Sequence, residues 1–136
     1  VSMYELEKAF HQAWIDGAFG LKTVYENFKS TPPTGEPWAR VTFAPAQPIP
    51  TGLGDTGEDE VVGLYIVDLN YPLGEGNKRA LEAYEAIRVY FKAGRKFTNG
   101  TTTAAIISAG RLPAQIVDQN YRITVQIEFE ARISRA

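Results

Sequence analysis

The chain has 136 residues, of which 44% are hydrophobic and 22% charged, with a formal net charge of −2 and no cysteine. That length suits a single domain spanning residues 1–136, which buries roughly two-thirds of its unfolded surface and holds a core without metal or disulfide staples. The composition excludes disulfides, thiol nucleophiles and cysteine-based zinc sites. It lacks the basic footprint of a nucleic-acid binder and any apolar run near the ~20 residues of a membrane helix.

Glu5, Lys8, His11 and Asp16 interrupt the first apolar stretch, so it is no signal peptide, and Met3 is the expected native start. Met3, Leu6, Phe10, Ala13 and Trp14 recur at helical spacing and predict an amphipathic helix over about residues 3–16. Ser2 and Glu5 have capping-box spacing at its start; Gly17 and Gly20 end it. Thr23 to Phe28 reads as a short strand and 30–35 as a loop. Trp38 to Phe43 is a second strand, with Ala39, Val41 and Phe43 on one face and Trp38, Arg40 and Thr42 on the other.

Residues 44–59 carry three prolines, three glycines and the acids Asp55, Glu58 and Asp59, extended by Glu60. They are expected to be irregular, and a loop of that length is usually functional or disordered. Val61 to Tyr71 is apolar on both faces, as in a central strand. After the turn at Pro72, Gly74 and Gly76, Asn77 is placed to cap a second helix running to about Ala93. Asn99-Gly100 between β-prone runs predicts a hairpin of 96–98 with 101–108. Tyr121 to Ile133 alternates apolar with polar residues, the pattern of a long antiparallel strand with one wet face. The order α-β-β-β-α-β-β-β predicts an α+β domain. It would have an antiparallel or mixed sheet of about five to six strands, with two helices packed on one face.

Few residues offer chemistry. His11, the single histidine, falls off the apolar stripe and reads as a solvated surface residue; no local spacing supplies it with a nucleophile or an orienting partner. The acids at 55–60 do not fit an EF-hand loop. They form a solubilising loop, an assembly loop that pairs with a basic surface on a neighbour, or a metal site. Gly74-Glu75-Gly76 lacks the remaining glycines of a dinucleotide fingerprint and the P-loop lysine, so it is a turn with its helix cap. Ser108-Ala109-Gly110 is no nucleophile elbow. Trp38 either packs under a loop or, with Arg40, anchors an interface, since tryptophan and arginine are enriched at binding hot spots. The polar face of the last strand, with Arg122, Glu128, Glu130 and Arg132, either meets water or sets subunit register. No enzyme, cofactor or metal is expected.

The segments Tyr25-Glu26-Asn27 and Thr34-Gly35-Glu36-Pro37-Trp38-Ala39-Arg40-Val41 resemble those of phage tail-terminator-like proteins, including a prophage family. The likeness continues in Gly63-Leu64-Tyr65-Ile66-Val67-Asp68, Pro72-Leu73-Gly74-Glu75-Gly76, Phe97-Thr98, Gly110-Arg111 and the closing strand, in the same order along nearly the whole chain. The resemblance implies a small α+β subunit without a catalytic site. Such subunits form a ring, usually a hexamer, which caps the tail tube, stops its polymerisation and meets the head connector. It would assemble in the host bacterial cytoplasm and end in the virion tail. Its partners would be copies of itself, the tail tube protein and the connector protein, with no direct nucleic-acid contact and no membrane. Trp38, Arg40, Asp55, Glu58, Asp59 and Glu60 are the candidate assembly residues. The competing readings are another neck or head-completion protein of similar fold, and a monomeric ligand- or peptide-binding module.

Overall fold

The computed structural model describes residues 2–26, 31–52, 54, 57–100 and 102–134. Helix α1 (Ser2–Asp16) leads into β1 (Lys22–Val24), β2 (Trp38–Pro45), β3 (Ile49–Pro50) and β4 (Glu58–Pro72). Helix α2 (Lys78–Tyr90) precedes β5 (Lys96–Asn99), β6 (Thr102–Arg111), β7 (Gln115–Val117) and β8 (Asn120–Ser134). The strands form one curled mixed sheet in the order β1-β2-β4-β8-β6-β5, with β3 beside β4 and β7 beside β8. Among the described residues only the β1–β2 pair is parallel.

Eight strands exceed the expected five or six because two long strands are interrupted. Pro45, Pro48 and Pro50 cannot donate to a ladder, yet the chain resumes pairing with β4 through Ile49↔Glu60 and Pro50↔Asp59. The backbone N–H of Ala46 also donates to the Val62 carbonyl at 2.8 Å. Within 44–59, expected to be irregular, β3 and the start of β4 thus pair as a hairpin arm. The Thr51 amide and hydroxyl both donate to the Glu58 carbonyl, at 3.1 and 2.8 Å. Likewise β6 breaks near Pro113 and continues as β7, which returns to β8 through Asp118 and Gln119, both at positive φ (50° and 64°). Those dihedrals suit a tight hairpin, but neither residue is glycine, so the turn had no sequence mark.

β4 and β8 are the spine: all 15 residues of each pair in register, from Glu58↔Ser134 to Pro72↔Asn120. Odd-numbered positions of both face the helices. Val61, Tyr65, Val67 and Leu69 of β4 and Ile123, Val125, Ile127 and Phe129 of β8 are fully buried there. Phe10 of α1 lies over this face, 4.6 Å from the Phe129 ring and 5.2 Å from the Tyr65 ring. Phe91, just past α2, is 6.4 Å from Tyr65. Both helices therefore share one face, as expected. The other face of β4 is not doubly buried: Val62, Leu64 and Ile66 are half-buried, opposite Glu130, Glu128 and Gln126 of β8.

Several local expectations shift. β1 stops at Val24, and the Glu26 carboxylate instead accepts the Phe43 amide at 2.8 Å; residues 27 and 28 lie outside the described residues. Asn77 precedes α2 but its side chain makes no capping bond, and α2 ends at Tyr90 rather than Ala93. Asn99 pairs with Thr102, so β5 runs one residue past the expected 96–98, and the Asn99 side chain donates to the Glu5 carbonyl. Glu5 is not used in a capping box: α1 already includes Ser2, and the Glu5 carboxylate accepts the buried Thr102 hydroxyl at 3.0 Å. These contacts tie α1 to the opposite end of the chain.

Candidate assembly interface

The strand register sorts the candidate residues into two groups at opposite ends of β4. Trp38 and Arg40 lie opposite Asn70 and Asp68. Glu58, Asp59 and Glu60 open β4 on the hairpin arm. Twelve residues of extended strand separate Glu58 from Asn70, about 40 Å at ~3.3 Å per residue. Asp55 lies outside the described residues.

At the first end Trp38 is 4% exposed and lines a cleft together with residues 32–35. The Arg40 guanidinium sits 5.3 Å from the centre of its ring, a cation–π contact. Sheet order then adds residues that sequence reasoning missed. β8 brings Arg122 across β4, and its Nε donates to Asn70 Oδ1 at 2.8 Å. Thr124 donates its hydroxyl to Asp68 Oδ1 at 2.7 Å, and Asn70 Nδ2 donates to the Asp68 carbonyl at 3.2 Å. Arg40 and Arg122 were legible as polar-face residues of two strands; only the order β2-β4-β8 shows that they meet. With Pro32, Pro33, Leu73 and Asp118 they line a cleft of about 540 Å³.

At the second end Glu58 is exposed and Glu60 half-buried, both on the face away from the helices. Lys96, Glu130 and Arg132 share that region with Glu58, without an ion pair to it among the described residues.

His11 is not a solvated surface residue. It is half-buried between Tyr25 and Tyr65, with Nδ1 2.7 Å from the Tyr65 hydroxyl. Burial raises the Tyr65 phenol far above its ordinary value, and the protonated hydroxyl shares one hydrogen bond with Nδ1. The other ring nitrogen then faces Glu7 Oε1 at 3.8 Å. Burial also lowers the His11 pKa, against the opposing charges of Glu7 and Glu26. The pair fastens α1 to β4. Among the described residues no three His, Asp or Glu side chains group as a metal site. No helix is long and apolar enough to cross a membrane. A second cleft, about 520 Å³, is walled by Trp14, Ile15, Phe19 and Leu21 and gathers no opposed charges.

The chain belongs to a family whose model, described as phage tail terminator protein, matches residues 5–129, and it is therefore a structural component of a phage tail. A solved structure shares the fold, with a TM-score of 0.78 over 96% of each chain at 17% identity. No curated protein matches the chain.

Proposed function

We propose that this protein is a ring-forming tail terminator subunit that caps the tail tube, ends its polymerisation and joins it to the head connector. The family match along most of the chain carries this reading. The geometry supports it. A closed ring needs a heterologous interface, in which one patch on each subunit meets a different patch on the next. Here two unlike polar patches, one around Trp38 and Arg40 and one around Glu58, Asp59 and Glu60, sit about 40 Å apart on a rigid ladder. A non-enzymatic role follows from the same reading, as does assembly in the host cytoplasm before incorporation in the tail.

Deleting the gene from the phage or prophage that encodes it tests the role directly. Electron microscopy of the particles is expected to show overlong, headless tails, with normal length restored by complementation. Tails of normal length that fail to join heads indicate a neck or head-completion protein instead. Normal, joined particles contradict both.

A further inference from the structure

Both tryptophans are buried. Trp14 donates its indole N–H to Thr23 Oγ1 at 2.8 Å, whereas Trp38 Nε1 is buried without an acceptor among the described residues. A buried unsatisfied donor is costly, about 1–3 kcal/mol. Two further donors line the same cleft. Among the described residues Arg40 stacks on Trp38 without an ion pair, and Arg122 donates its Nε to Asn70 with no partner for its terminal nitrogens. The nearby acids make no ion pair with either guanidinium among the described residues: Asp68 accepts the Thr124 hydroxyl on Oδ1, and Asp118 stands on the exposed β7–β8 turn.

We propose that this cleft is a carboxylate-recognition site, filled in the ring by Glu58 or Glu60 on the hairpin arm of a second copy of the chain. The inference rests on the ring reading and names the contact that closes it. Guanidinium groups match carboxylates through paired N–H donors. Glu58 and Glu60 carry no ion pair among the described residues and share the outer face of the sheet with the cleft. They cannot reach it within one chain, since β8 holds β4 extended over all 15 residues. Each subunit thus offers an acidic arm at one end and a donor-rich cleft at the other.

Two measurements on the full chain test this. The first uses E58R/E60R protein labelled with nitrogen-15, whose own arm no longer competes for the cleft. A synthetic peptide with the sequence of residues 57–62 should shift the Trp38 indole resonance and leave that of Trp14 unmoved. The same peptide with glutamine at 58 and 60 should shift neither, and adding R122Q to the receptor should weaken the effect at least tenfold. The second measurement is sedimentation. R40E alone and E58R/E60R alone should each lower self-association at least tenfold, and combining them in one chain should restore it. Oligomers indifferent to both changes, with a Trp38 signal indifferent to the acidic peptide, would overturn the site and leave the ring reading standing. A chain monomeric throughout whose Trp38 signal still responds specifically to the acidic peptide would uphold the site and count against the ring.

Discussion

Gly63→Ala tests how closely the arm-bearing strands pack. Gly63 sits within β4 opposite Pro45 of β2 and Phe129 of β8. A methyl group there would lie 2.7 Å from Pro45 Cα, 2.8 Å from the Ala44 carbonyl oxygen and 3.1 Å from Phe129 Cζ. The first two contacts are backbone, so no side chain can rotate away and β2 must move from β4 by several tenths of an ångström. Overpacking of this kind costs about 1–3 kcal/mol. With an unfolding entropy of about 2.1 cal/mol/K per residue over 136 residues, that lowers Tm by about 3–10 °C. Gly110→Ala is the control, because its methyl group meets nothing within 4 Å and the backbone there is not left-handed. It should change stability by less than about 1 kcal/mol, in either direction. Calorimetry of both variants reads the difference. A Gly63→Ala protein that melts with the wild type would refute the close approach of β2 to β4.

Other consequences follow from the buried polar contacts. Tyr65→Phe strips His11 Nδ1 of its hydrogen-bond partner and should cost about 1–2 kcal/mol in urea unfolding. Because burial lowers the His11 pKa, the unfolded chain binds more protons than the folded one near and below the ordinary histidine value. His11 therefore contributes stability above about pH 6.5 that is lost as the pH falls through that value toward the lower folded one. His11→Gln should flatten that part of the stability profile, and an unchanged profile would contradict the burial assigned to His11. Glu5→Ala leaves the 2% exposed Thr102 hydroxyl without its acceptor and should destabilise by about 1–3 kcal/mol. Lys22→Ala removes only an exposed pair with Glu36 and should change unfolding by less than about 1 kcal/mol.

Periodicity carried the elements whose burial is regular. The stripe of α1 and the alternation of β8 were plain in the sequence because each turns one face to the aromatic core. Elements set by long-range pairing were not. β3 ends in a proline and pairs because β4 lies beside it, and the Asp118–Gln119 turn adopts positive φ without glycine. His11 was misread for a related reason. Its helical position is off the apolar stripe, but a curled sheet brings Tyr65 and Tyr25 around the side of α1, so a residue at the stripe's margin is enclosed. Val62, Leu64 and Ile66 misled in the opposite sense: an apolar run reads as buried on both faces, whereas only one face of β4 has helices over it. The candidate assembly residues were half legible. Trp38, Arg40 and the acids stood out by type, but Arg122 joins the cleft through strand order, which local pattern does not encode.

The central claim is that unlike ends of one subunit meet around a closed ring. Native mass spectrometry of the purified chain across a concentration series, with class averages from negative-stain images, tests it most directly. The account predicts a single closed species of more than two subunits. A two-fold dimer joined by like ends, or a chain that stays monomeric at every concentration, would contradict it.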